Sequence, residues 1–532
     1  MFSSVKLIYR ALLLTMTTFV WQLPPSDASS NGQTFEAEGV GQFKFGHFHS
    51  GHTKFVHIRL GHSKFGKFPP PNQPPPPPPP PAVTYIYPET YGAKRDGQTN
   101  DLAAIQQALA VAAGTANSQV VFSAGTYACN GQIIASSVSL AGAANSNLLF
   151  TNPSNGGVKL TGNYPSISGI TINFSNAAAN SAAGLLIAYA SNFSVNGIVV
   201  NACPADNIDC FYSGPGSINS SLVTSSSANS LLIEDCTNVT VTGNQMPNFG
   251  VISGGSISVG LAISNNTFTT TNGSSKGYVP KLAGLILSSF TNNTILCGSL
   301  YIGSSNKPPN NSIAGDGIVY SLYVAGNTLD GSAVTPALPD FNGIMVNYYG
   351  ATGQITTDVT IAGNTVQNLL ASASAIGIFP GASNINVTGN VVNTVGRHLT
   401  TSGGTFDYAC SGISTQSCGN INIQNNSVSN IAGTAIFAAP YAGNGSVSIT
   451  GNSISAACAK AEYGLTDEPV IAIETANGSG VPLAFNVNNN VFYGPAGAAT
   501  YFIECLIPSS VCSRSFTGDA QTSTTLGNHI VP

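Results

Sequence analysis

A four-residue phrase recurs through this chain: an apolar residue, a variable one, Gly or Asn, and then Asn. It stands at Val241-Thr-Gly-Asn244, Ile263-Ser-Asn-Asn266, Phe290-Thr-Asn-Asn293, Val324-Ala-Gly-Asn327 and Ile361-Ala-Gly-Asn364, and again at Val387-Thr-Gly-Asn390, Ile423-Gln-Asn-Asn426, Ile449-Thr-Gly-Asn452 and Val487-Asn-Asn-Asn490. A sequence that repeats itself every ~20 to 50 residues is a solenoid, because each unit can bury its apolar face only against its neighbours. Asn tolerates the left-handed backbone of a tight corner, and its amide can bond to the Asn stacked one coil along. The expectation is an all-β parallel β-helix threaded by an asparagine ladder. Weaker copies at Ile167-Ser-Gly-Ile170 and Val195-Asn-Gly-Ile198 extend the pattern backwards. Roughly eleven coils spaced about 4.8 Å apart give a rod about 55 Å long.

Only one helix is expected. In Asn100-Asp-Leu-Ala-Ala-Ile-Gln-Gln-Ala-Leu109 the apolar residues recur with helical spacing; Asn100 or Thr99 caps the start, Asp101 suits the first turn, and Gly114 ends the pattern. The preceding Tyr91-Gly-Ala-Lys-Arg-Asp-Gly97, with Asp101 and this helix, resembles the N-terminal cap of the pectate lyase superfamily. That group includes polygalacturonases, polysaccharide lyases, uronate epimerases and phage tailspikes. The resemblance implies a right-handed parallel β-helix over residues 83–515, with a short N-terminal capping helix and a C-terminal tail over 516–532. It implies work on polysaccharide without fixing the reaction.

The remaining N-terminal sequence has a different character. Lys6 and Arg10 precede the apolar run Ala11 to Trp21, and small residues around Ala28 offer a cleavage site, so residues 1–28 read as a signal peptide. Residues 29–68 are His/Lys-rich: from Gln42 to Phe68 there are five Lys or Arg, five His and no acid. Such a tail suits an anionic envelope or glycan. Residues 69–82 are a proline linker in polyproline II, a spacer of roughly 40 Å at about 3.1 Å per residue.

From Ala82 onward eighteen acids face nine Lys or Arg, so the body is mildly acidic and unsuited to nucleic acid. No apolar run reaches the roughly 20 residues of a membrane span. Charged residues make up 7% of the chain, where about 25% is ordinary, and neutral polar groups cover the surface instead. Ten cysteines beside an export signal argue for disulfides, with local pairs Cys203 and Cys210, Cys410 and Cys418, Cys505 and Cys512. The expected protein is secreted or cell-surface, and monomeric.

Two places carry candidate chemistry. From Asn327 the ladder intervals are 37, 26, 36, 26 and 38 residues, so long and short coils alternate and their loops line up on one face. Those loops hold Asp330, Asp340, Arg397, His398, Asp407, Tyr408, Lys460, Glu462, Tyr463, Asp467 and Glu468. β-Elimination from a uronate needs a cation for the carboxylate, a base for the C5 proton and an acid for the leaving oxygen. Arg397, His398 and Tyr408 offer one of each, while Asp407 suits orienting His398 or holding calcium. Tyr348, Tyr349, Lys460 and Tyr463 are candidate sugar contacts. The alternative is a hydrolase using Asp206, Asp209 and Asp235. Polygalacturonases carry Asn-Thr-Asp, Asp-Asp, Gly-His-Gly and Arg-Ile-Lys on successive coils; here Ala205-Asp-Asn-Ile-Asp209 partly echoes the first and Glu234-Asp235 the second, while the last two have no counterpart. A non-catalytic adhesin or glycan binder, its neutral Asn/Ser/Thr surface holding sugar without cutting it, stands beside both.

Overall fold

The computed structural model describes residues 82–152, 155–175, 183–201, 203, 205–224, 229–246, 251–252, 257–269, 280–296, 299–303, 318–332, 343–347, 355–369, 374–396, 411–416, 418–431, 433–439, 446–457, 471–473, 484–493, 503–505 and 529–531. The expected signal peptide, His/Lys-rich segment and most of the proline linker lie outside them. Within them the chain is a right-handed parallel β-helix. Two 16-stranded sheets run its length, and a third face consists of a 5-stranded sheet followed by a 9-stranded one. Among the described residues the strand pairings between successive coils are parallel, as Val199–Asn201 with Thr171–Phe174.

The strands alternate. In Leu231–Glu234 and Val239–Thr242, every second residue enters the core. The core is a continuous stack of Ile, Val, Leu and Phe, with Ile172, Val200, Val241, Val324 and Ile361 fully buried. Chain length adds coils without thickening that core, which is how a solenoid escapes the size limit of a single globule. The expected eleven coils were too few, because the early coils lack the ladder phrase: a sheet of 16 strands is about 70 Å long.

The ladder divides two jobs that sequence reasoning had assigned to one residue. The third position of the phrase takes the left-handed backbone, as at Gly243, Asn265, Asn292, Gly363 and Asn425. The fourth, always Asn, is buried and stacks. Asn364 Nδ2 donates to Asn390 Oδ1 at 2.9 Å and to the Val324 carbonyl at 3.0 Å, while Asn364 Oδ1 accepts from the Asn327 amide. The same set recurs from Asn244 to Asn490. In the weaker copies Ile170 and Ile198 fill that place and no ladder forms there.

The helix Leu102–Ala113 closes the N-terminal end, burying Ile105, Ala108, Leu109 and Ala112, and Gly114 caps it as expected. Asp101 occupies the N-cap position without a side-chain cap bond, while Asn100 Oδ1 accepts from the Leu102 N–H at 3.3 Å. The buried Asp101 carboxylate accepts the backbone N–H groups of Lys94 at 2.6 Å and Arg95 at 2.9 Å, tying the Tyr91–Gly97 segment to the helix start. At the other end His529–Val531 pairs with Val491–Tyr493, so residues expected in a C-terminal tail join the sheet. Among the described residues no helix is long and apolar enough to cross a membrane.

Candidate functional site

Arg397, His398, Asp407 and Tyr408 lie outside the described residues, as do Tyr348, Tyr349, Lys460 and Tyr463, and with Asp407 the calcium expectation. Asp206, Asp209 and Asp235 lie within them, on the 5-stranded face. That face brings the first two together with Glu234.

The strand Ile208–Phe211 sends Ile208 and Cys210 into the core and turns Asp209 and Phe211 outward. It pairs with Leu231–Glu234 so that Asp209 meets Leu232 and Phe211 meets Glu234. Asp209 and Glu234 therefore point from the same face, one coil and two residues apart. Strand spacing and rise put their Cα atoms about 8 Å apart. Asp206 immediately precedes the strand; its Oδ1 accepts from the Asn229 backbone N–H at 2.8 Å. Its carbonyl takes bonds from the Gly184 amide and from Cys203 Sγ.

Asp209 is the unusual member. Its Oδ1 is buried without a hydrogen-bond partner. Burial pushes the carboxyl up to about 7, and the negative charges of Asp206 and Glu234 push the same way. One carboxyl thus keeps its proton beside neighbours able to act as bases. This separation of roles, set by environment, is what acid and base work on one bond requires. Lys159 stands two strands away in the same outward row, through the pairs Lys159 with Leu186 and Leu186 with Asp209.

Asp235 sits at the corner that follows, with a left-handed φ of 50°. On the two preceding coils the same corner is occupied by Tyr189 and Tyr212, also left-handed at 54° and 46°. Bulky side chains rarely accept that backbone. Here it holds both rings outward, 63% and 49% exposed. They stack with centroids 5.5 Å apart, and Phe211 packs 4.4 Å from Tyr212. The Tyr212 hydroxyl bonds to Asp235, which raises its pKa above the ordinary tyrosine value. The face beside the carboxylates is thus an aromatic platform flanked by polar groups, an arrangement suited to a pyranose ring. Sequence reasoning overlooked Tyr189, Phe211 and Tyr212; the available signal was an aromatic closing a strand on consecutive coils.

The expected Cys203–Cys210 staple is not what the coils assemble. Cys203 Sγ bonds to the Asp206 carbonyl at 3.2 Å, while Cys210 Sγ lies 3.4 Å from Cys236 Sγ on the next coil. Alternation explains this: Cys210 faces the interior, where its neighbours belong to the adjacent coil. The other two expected pairs each include a residue outside the described set, Cys410 and Cys512.

Residues 89–277, which span the capping helix and the carboxylate cluster, match the family model described as rhamnogalacturonase A/epimerase, pectate lyase-like. No curated protein matches the chain. Among solved structures, the chain is similar to the Agl-KA catalytic domain, at 16% identity over 77% of this chain and 69% of that one, with a TM-score of 0.46. It is similar to the Streptococcus pneumoniae surface protein and adhesin PfbA, at 15% identity over 80% and 100%, with a TM-score of 0.45. It is also similar to the Azotobacter vinelandii mannuronan C-5 epimerase AlgE6 A-module, at 12% identity over 84% and 99%, with a TM-score of 0.32.

Proposed function

We propose that this chain is an extracellular glycoside hydrolase acting on polysaccharide at the 5-stranded face of its β-helix, a reading supported by the pectate lyase-like family match over residues 89–277. The observation that carries this reading is the Asp209 carboxyl, its Oδ1 buried without a hydrogen-bond partner and its pKa pushed up to about 7 by burial and by the neighbouring Asp206 and Glu234. In this mechanism Asp209 gives its proton to the glycosidic oxygen as the bond to the anomeric carbon breaks. Glu234, whose Cα lies about 8 Å from that of Asp209, takes a proton from the attacking water on the opposite face of the ring. Inverting hydrolysis uses carboxyl groups about 6.5 to 9.5 Å apart, leaving room for that water. Tyr189, Phe211 and Tyr212 hold neighbouring sugar units by stacking, and Asp235 orients Tyr212.

A lyase or epimerase using Arg397, His398 and Tyr408, with Asp407 orienting His398 or holding calcium, is the second reading; a cation, a base and an acid crowded into one segment favour it. Tyr348, Tyr349, Lys460 and Tyr463 would then contact the uronate chain. The two chemistries leave different products. Incubation with pectate, alginate and neutral glucans should release reducing ends without ultraviolet-absorbing unsaturated ends, and Asp209→Asn should abolish that release while His398→Ala preserves it. Unsaturated ends lost in His398→Ala would overturn the hydrolase in favour of the lyase. Binding with no product from any polymer would make the protein an adhesin.

A further inference from the structure

The thiols of Cys210 and Cys236 sit on consecutive coils, both fully buried, with their sulfurs 3.4 Å apart. A disulfide holds its sulfurs about 2.05 Å apart, so the pair must close by roughly 1.4 Å. Cys236 also donates to the Cys210 carbonyl at 3.3 Å and to the Glu234 carbonyl at 3.1 Å, which fixes its sulfur against the neighbouring coil. We propose that Cys210 and Cys236 form a disulfide that braces the two coils carrying the carboxylates.

The placement gives the brace its meaning. Asp209 and Phe211 flank Cys210, while Glu234 and Asp235 precede Cys236 directly. A bond between the inward-facing cysteines fixes the spacing of the outward-facing acids, because inward and outward residues share one backbone. In the reaction each cysteine loses one proton and together they lose two electrons, and one S–S bond replaces two S–H bonds. A disulfide carrier, small-molecule or protein, accepts the electrons and leaves as its dithiol. Exchange takes place while the coil is still forming, before the pair is covered. The bond itself does not depend on the hydrolase reading; only its consequence for turnover does.

The test is non-reducing peptide mapping of the full chain recovered from an oxidising secretory host, denatured and treated with a maleimide. The expected result is a linked peptide pair containing Cys210 and Cys236 that separates on reduction. Alkylation of both cysteines without reduction, or linkage of either to another cysteine, Cys203 included, overturns the proposal. Hydrogen exchange then tests the bracing. Reduction of the denatured chain and refolding with the thiols kept reduced should speed exchange at Ile208–Phe211 and Leu231–Glu234 several-fold, leave Ser374–Ile378 unchanged, and have no effect in a C210S/C236S variant. Unchanged exchange in a chain shown to carry the bond refutes the brace and leaves the hydrolase reading intact.

Discussion

Substituting Asp209→Asn should remove catalysis and, above neutral pH, make the protein more stable. The ordinary aspartate value is 3.8, and in the fold this carboxyl rises to about 7 because burial disfavours its charge. For a raised acid the protonated form is the one the fold prefers. Its stabilising contribution is fully present below pH 3.8 and is lost as the pH rises through 7. Between those values the unfolded chain has released a proton that the folded chain retains, so stability declines by up to ~1.36 kcal/mol per pH unit. The whole window amounts to at most about 4 kcal/mol, and relaxation of a residue that keeps some solvent contact reduces this to about 2 to 3 kcal/mol. Asn has nearly the same shape and no charge to desolvate. The variant should match the parent near pH 4 and exceed it by about 2 to 3 kcal/mol at pH 8. Turnover should fall about 10²- to 10⁴-fold throughout, the usual share of a positioned acid. Denaturant melts at pH 4, 6 and 8 beside reducing-end assays measure both. A stability difference that does not change with pH, or an unchanged turnover, would show that Asp209 is neither buried as an acid nor used as one.

The parent's turnover should decline as pH rises through about 7, where Asp209 loses its proton; a pH–rate profile rising through 7 would contradict the role of acid. Tyr212→Ala and Tyr189→Ala should each weaken glycan binding about fivefold to tenfold, as loss of one stacking contact predicts, with melting points little altered because both rings are exposed. Asn364→Ala should cost about 2 to 4 kcal/mol, since it removes the acceptor of the Asn327 backbone N–H and side-chain amide and the side-chain donor to the Val324 carbonyl. Gly363→Asn should be nearly neutral: the site has φ of 60° and open space, and Asn already serves at Asn265, Asn292 and Asn425. Gly157→Ala should instead destabilise severely, because its Cβ would collide with the Ala183 carbonyl oxygen; equal melting points for these two variants would contradict the distinction.

The solenoid was readable in the residues because its determinants are local and repeated. A left-handed corner, an amide that bonds to its own copy and alternating apolar residues each leave a mark in every coil, and nine marks agree from Asn244 to Asn490. The capping helix was readable for the same reason, although not the use of Asp101, whose partners Lys94 and Arg95 come from the preceding segment. Coil number was underestimated where Ile170 and Ile198 replaced the ladder Asn.

The candidate site was a different matter. Asp206, Asp209 and Asp235 could be suspected by type, but nothing in their order along the chain says which one keeps its proton. That depends on Asp209 Oδ1 being buried without a partner and on Glu234 arriving from the next coil. Likewise Cys203 and Cys210 are neighbours in sequence, yet alternation turns Cys210 inward to Cys236. The sequence alone therefore determined the coil, because a coil is made of contacts that every repeat carries within itself. Only the tertiary structure decided the chemistry, because a pKa and a sulfur–sulfur contact belong to residues that stacking, rather than chain order, brings together.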